Sequence, residues 1–230
     1  MDLNQNINNI EAVAFDMDGL IFDTEALSKK AFFMTADQFQ LEVEADYYKH
    51  FIGHSQAACD QLMYDRFGAD FDAASFRAVW WSCVGTIFDQ HGVDFKPGFH
   101  ELFEKLETKN IPLVLVTTSS HSSVLRNFKG WNYPDRFDVM ITADRGLPAK
   151  PAPDKYLQAA EDVSVRPEKM MVIEDSNIGM QAAISAGCKA VMVPDLVEPT
   201  DYVESAAFKI FANLYHLNEW YTKNIWASHE

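Results

Sequence analysis

The chain has 230 residues, of which 48% are hydrophobic and 23% charged, and carries a formal net charge of −15. That length and polarity support a large core with no need of metal or disulfide to hold it. The acidic excess argues against nucleic acid and anionic membranes as partners, because both are gripped through Lys and Arg; an anionic ligand would need a local positive site.

The opening residues, MDLNQNINNIEAVAF, have neither a basic cluster nor a long apolar run, so no signal peptide is expected. Ala12-Val13-Ala14-Phe15 is a short apolar run that predicts a buried parallel strand ending at Asp16, with Gly19 where the chain must turn. From about Thr24 to Gly92 the periodicity is helical, with helices predicted at Glu25–Phe39, Ala45–His50, Ser55–Phe67 and Ala73–Gln90. Phe76, Val79, Trp80, Val84 and Phe88 recur at helical spacing and read as the core of a small bundle.

After Lys96-Pro97-Gly98 the pattern alternates. Strands are predicted at Leu113–Val116, Phe137–Thr142, Met170–Ile173 and Ala190–Val193, with an edge strand at Lys209–Phe211. Helices are predicted at Phe99–Thr108, Ser122–Phe128, Asp154–Asp162, Ile178–Ala186 and Leu214–Asn224. Such alternation means an α/β, Rossmann-like parallel sheet with helices on both faces, interrupted by a helical insertion. The core is placed at 1–21 and 97–230 and the insertion at 22–96. No stretch approaches the roughly 18 apolar residues of a membrane span. Cys59, Cys83 and Cys188 are sparse and odd in number, as for reduced thiols. The expected compartment is the cytoplasm and the default state a monomer.

In a parallel sheet the ligand sits at the carboxyl ends of the strands. There the sequence places Asp16-Met17-Asp18-Gly19, Thr117-Thr118-Ser119-Ser120, Ala149-Lys150-Pro151 and Glu174-Asp175. Four carboxylates brought together raise one another's pKa, and a divalent cation resolves the repulsion. All-oxygen ligation suits Mg2+, which binds phosphate along with carboxylates. Lys150 would neutralise further charge, and Thr117 with the N–H groups near Thr118 and Ser119 could cradle a phosphate oxygen. Two carboxylates at i and i+2 can divide labour: one attacks phosphorus, the other moves the proton.

These segments, FDMDGLIFDTE at 15–25, VTTSS at 116–120, AKPAPDKYLQAA at 149–160 and VIEDSNIGMQAAISAG at 172–187, resemble those of the haloacid-dehalogenase superfamily, in the branch with a helical cap after the first strand. The resemblance implies that Asp16 is the nucleophile and a metal ligand. It implies that Asp18 is the general acid/base and lends its backbone carbonyl to the metal. Thr117 would hold the transferring phosphoryl group and Lys150 would neutralise it. Asp175 would ligate Mg2+, with Glu174 direct or through water. Gly19, Thr118 and Ser119 would line the phosphate site, and the cap residues His54 and Gln56 would touch the rest of the substrate, with Lys29 and Lys30 as weaker candidates. The cap is expected to close over a small phosphate ester.

Dehalogenases of this family lack the second aspartate, so Asp18 points to phosphate chemistry. The sequence is also similar to the β-phosphoglucomutase-like group. Its sugar mutases carry a cap histidine and a cap arginine at the positions occupied here by Ser28 and Gln56. Both departures favour hydrolysis over phosphomutase chemistry. A catalytically idle phosphometabolite binder is the third reading; it would have no use for an acid/base at position 18.

Overall fold

The computed structural model describes residues 9–52 and 56–226. The chain divides into two compact units, one running up to Phe22 and resuming at Phe95, the other spanning Asp23–Asp94.

The first unit is built on a six-stranded sheet ordered β3-β2-β1-β4-β5-β6, and every neighbouring pair is parallel. The strands are β1 (Ala12–Phe15), β2 (Leu113–Val116), β3 (Val139–Ile141), β4 (Met170–Glu174), β5 (Lys189–Met192) and β6 (Lys209–Ile210). β1, β2 and β4 are buried along their whole length. That is why they read as continuous apolar runs: a strand covered on both faces has no polar alternation. β1 pairs Phe15 with Leu115 on one side and with Ile173 on the other, so the three strands end level. The chain winds outward from β1 through β2 to β3, then crosses to the far side of β1 and winds out through β4, β5 and β6. The winding therefore reverses at β1, the point at whose carboxyl edge open parallel sheets bind their ligands.

Helices cover the sheet with one apolar face each. α4 (Phe99–Glu107) buries Phe99, Leu102, Phe103 and Leu106, the i, i+3, i+4, i+7 stripe of an amphipathic helix. α6 (Asp154–Asp162) buries Tyr156, Ala159 and Ala160, and α7 (Asn177–Ser185) packs through Gly179, Met180, Ala182 and Ala183. Small residues on α7 let it lie close to the sheet. Ser120 caps α5 (His121–Asn127) by accepting from the Ser123 N–H at 3.2 Å, and Ser176 caps α7 by accepting from the Gly179 N–H at 3.1 Å. α8 (Asp201–Ala206), capped by Thr200, is a helix the periodicity did not predict. α9 (Leu214–Tyr221) runs on into a wider π turn at Thr222–Trp226.

The second unit holds α1 (Thr24–Gln38), α2 (Gln56–Phe67) and α3 (Ala73–His91), and the expected helix at 45–50 is a short 3₁₀ turn at Tyr47–Phe51. Phe32 is its hub, with the rings of Tyr48, Phe51, Phe76 and Trp80 all centred within 5.6 Å. The buried stripe of α3 is Phe76, Trp80, Cys83 and Ile87, offset from the one read in the sequence. Trp80 is buried, whereas Trp81 stacks on it from the solvent side and is 57% exposed. Among the described residues no helix is long and apolar enough to cross a membrane.

Candidate active site

Asp16 follows β1 directly, and its N–H still donates to Ile173 O at 3.0 Å, as a further rung of the ladder. Thr117 continues β2 in the same way, donating to Ile141 O at 2.9 Å. Glu174 is the last residue of β4, with Asp175 next. Level strand ends thus deliver these side chains to one edge, at the point where the winding reverses.

Asp16, Glu174 and Asp175 offer carboxylate oxygens that all lie within 4.8 Å of one another, and all three residues are buried. Lys150 reaches into the group. Its ammonium bonds to Asp16 Oδ1, to Glu174 Oε1 at 2.5 Å and to Val116 O at 3.2 Å. One ammonium faces three carboxylates, so the cluster keeps an excess of negative charge. The electrostatics follow. Burial, only partly offset by Lys150, pushes the Asp16 carboxyl up to about 8. Burial together with Asp16, Glu174 and Asp195 holds Asp175 well above the usual carboxylate range. Burial opposes the charge on Lys150, but Asp16 and Glu174 outweigh it and hold the ammonium protonated. This surplus of negative charge on an all-oxygen donor set fits a hard divalent cation such as magnesium.

Glu174 is fully enclosed. Besides Lys150, its Oε1 accepts from Tyr156 Oη at 2.7 Å, and its Oε2 accepts from Ser176 Oγ at 3.1 Å and the Asp175 N–H at 3.2 Å. Two glycines are required by this crowding. A Cβ on Gly179 would overlap the Glu174 carboxylate. A Cβ on Gly19, which has φ +88°, would overlap the Asp175 carboxylate. Gly19 is thus needed both for the turn and for close approach.

Asp18 is half-buried, and its Oδ2 accepts from Ser119 Oγ at 2.8 Å, with Thr117 Oγ1 at 3.5 Å. Thr117 Oγ1 in turn accepts from the Ser119 N–H at 2.9 Å. The structure therefore gathers Asp16, Asp18, Gly19, Thr117, Ser119, Lys150, Glu174 and Asp175, with Thr118 exposed on the same loop. Gln56 opens α2 in the helical unit and is exposed. His54 lies outside the described residues. Ser28 of α1 accepts from Trp80 Nε1 through its carbonyl at 3.0 Å. Cys188 is half-buried, and burial pushes its thiol up to about 12.

Four residues here escaped the sequence reading. Tyr156 donates to Glu174. Asp195, in the turn after β5, is bridged by Lys96 Nζ at 2.6 Å and lies beside Gly19 and Asp175. Lys155 donates to Thr117 O and Thr142 O at 2.9 and 3.0 Å. Tyr156 and Lys155 directly follow a motif segment's acidic residue, which was the available signal. Lys96 and Asp195 lie far apart in sequence and gave none.

A parallel sheet with carboxylates at the ends of its central strands and a lysine from a neighbouring loop defines a class of α/β enzyme. The chain belongs to the haloacid dehalogenase-like hydrolase family, whose model matches residues 13–193. It is 29% identical over 182 residues to the phosphorylated carbohydrates phosphatase of Thermotoga maritima, covering 79% of this chain and 84% of that one. It is 33% identical to (DL)-glycerol-3-phosphatase 1 of Arabidopsis thaliana, a mitochondrial protein, over 81% of this chain and 65% of the relative. A solved structure from Thermotoga maritima, provisionally named a β-phosphoglucomutase, superposes with a TM-score of 0.72 at 28% identity, over 91% of this chain and 99% of the other. The protein is accordingly an enzyme of this hydrolase family, with phosphatases among its relatives.

Proposed function

We propose that the protein is a magnesium-dependent phosphomonoesterase that hydrolyses a small phosphorylated sugar or polyol through an aspartyl phosphate on Asp16. The observation that carries this reading is the buried trio Asp16, Glu174 and Asp175, of which Asp16 and Glu174 share the ammonium of Lys150, with Asp18 held two residues beyond Asp16.

The Asp16 carboxylate attacks phosphorus, and the bond to the leaving oxygen breaks as Asp18 supplies its proton. Asp18, now ionised, takes a proton from a water that attacks the aspartyl phosphate, and Asp16 is released with inorganic phosphate. Thr117 Oγ1, the Ser119 hydroxyl and nearby N–H groups hold the phosphoryl oxygens, and Lys150 balances the charge of nucleophile and phosphate. Magnesium, held by Asp16, Asp175, the Asp18 carbonyl and Glu174 directly or through water, would neutralise phosphate charge. Tyr156 and Ser176 keep Glu174 aimed.

The relatives that act on phosphorylated carbohydrates and glycerol 3-phosphate support the substrate class. The likeness to a structure provisionally named a mutase keeps phosphomutase chemistry as the second reading. Ser28 and Gln56, where the mutases carry histidine and arginine, disfavour it. We read 23–94 as the family's cap, which selects the leaving group.

A hydrolysis screen of sugar, polyol and nucleotide phosphates with and without MgCl2 tests the proposal. Metal-dependent phosphate release from a sugar or polyol ester, abolished in Asp16→Asn, is expected. Metal-independent release, or full activity in Asp16→Asn, would refute it. Turnover of β-glucose 1-phosphate to the 6-phosphate with a bisphosphate primer would favour the mutase.

A further inference from the structure

We propose that Lys155 is a positioning residue of the phosphate site, acting through the backbone of Thr117. The proposal rests on the phosphohydrolase reading of that site and adds a residue outside the metal cluster.

Lys155 sits in the first turn of α6, in the segment DKYLQAA, where a lysine ordinarily reaches solvent. It is instead 2% exposed. Its ammonium donates to Thr117 O at 2.9 Å and Thr142 O at 3.0 Å, the carbonyls immediately beyond β2 and β3. These hydrogen-bond partners are neutral carbonyls, and no carboxylate is among them. Enclosing an ammonium against uncharged acceptors costs more than pairing it with a carboxylate. Burial, then the neighbouring Lys150, hold its affinity for a proton down, against a weaker opposing pull from Asp144 and Asp16.

The geometry shows what the charge can do. The ends of β2 and β3 are laced by Thr117 N–H to Ile141 O at 2.9 Å and by Ala143 N–H to Ser119 O at 2.8 Å. Lys155 closes the same lacing through the carbonyls. The Thr117–Thr118 peptide is trans, so its C=O and N–H point in opposite directions. Pinning Thr117 O on an ammonium therefore fixes where the Thr118 N–H points. It also polarises that peptide, making the N–H a stronger donor to an anion. A second positive charge thus stands one peptide behind the residues that grip phosphate. Lys150 serves Asp16 and Glu174; Lys155 serves the loop.

The test uses the full chain with MgCl2, inorganic phosphate as the probe, and two variants. Lys155→Gln keeps an N–H donor for the carbonyls and removes the charge; Lys155→Arg keeps the charge. Three readouts are taken: the competitive inhibition constant of phosphate, the rise in melting temperature that phosphate produces, and KM and kcat for metal-dependent hydrolysis. Losing a charge-assisted contact predicts that K155Q weakens phosphate binding about tenfold, raising KM more than it lowers kcat. K155R should restore most of the affinity, and K155Q should melt near the parent when phosphate is absent. A folded K155Q that binds phosphate within twofold of the parent would overturn the proposal. So would a K155R that folds but binds no better than K155Q. If K155Q does not fold, a folded K155R with parental affinity is the expected result and one that has lost it the contrary. Failure of both variants to fold makes Lys155 a fold element and also overturns it. A parent protein with no metal-dependent hydrolysis and no phosphate-induced shift would remove the phosphohydrolase reading itself.

Discussion

Gly179 sits in the first turn of α7, where helix propensity and the site make opposite demands. Replacing Gly by Ala inside a helix ordinarily stabilises by about 1 kcal/mol, and nothing in the backbone of Gly179 forbids a side chain. The new Cβ, however, would fall on the Glu174 carboxylate. Restoring normal contact requires that carboxylate to retreat by on the order of 1 Å or more. It has no freedom to do so, because Lys150, Tyr156 and Ser176 hold it from three directions. Overpacking costs about 1–3 kcal/mol, and loosening a buried hydrogen bond to a charged group about 1.5–3 kcal/mol. Against a propensity gain of about 1 kcal/mol, the net for Gly179→Ala is a loss of about 1.5–5 kcal/mol, or ~3–20 °C in melting temperature for a chain of this size. Urea unfolding measures the stability, and calorimetric Mg2+ titration should show affinity down at least about tenfold as Glu174 is displaced. A Gly179→Ala protein as stable as the parent, with unchanged Mg2+ affinity, would show that the Glu174 cage is not rigid and refute the reasoning.

Three further outcomes are expected. The carboxyls of Asp16, raised to about 8, and of Asp175 hold protons more tightly folded than unfolded. Their contribution to metal-free stability is therefore fully present below about pH 4 and lost as pH rises towards 8. The gain in melting temperature on adding MgCl2 should grow between pH 5 and 8, and a gain that shrinks would contradict the charge assignment. Asp18→Asn should cut hydrolysis by about 10²–10⁴-fold while leaving Mg2+ affinity within a few-fold of the parent, because its side chain bonds Ser119 rather than joining the trio; parental turnover would exclude it as acid/base. Tyr156→Phe, which leaves Glu174 Oε1 short of one buried donor, should cost about 1–3 kcal/mol in urea unfolding, and no loss would mean the hydroxyl has no hold on Glu174.

The parts of this molecule that depend on short stretches of sequence were legible in it. A strand buried on both faces must be apolar throughout, which made β1, β2 and β4 plain, and a polar residue directly after such a strand must lie at the sheet edge, which located Asp16, Thr117, Glu174 and Asp175. What stayed hidden depends on partners far along the chain. Lys155 resembles any surface lysine of a helix until β2 and β3 bring two carbonyls to it. Asp195 resembles a turn residue until Lys96, roughly a hundred positions earlier, is folded against it. α8 is six residues long and buries only Val203, too little periodicity to register. The 3₁₀ turn at Tyr47–Phe51 shows the reverse: aromatic packing on Phe32, not helical propensity, shapes that segment.

The central claim is that Asp16 itself receives the phosphoryl group. Acid quenching during turnover of a substrate radiolabelled in its phosphoryl group, followed by peptide mapping, tests it most directly. The expected result is an acid-stable, hydroxylamine-labile label on the peptide containing Asp16, absent from Asp16→Asn. Steady metal-dependent turnover with no label on that peptide, or a label that persists in Asp16→Asn, would contradict it.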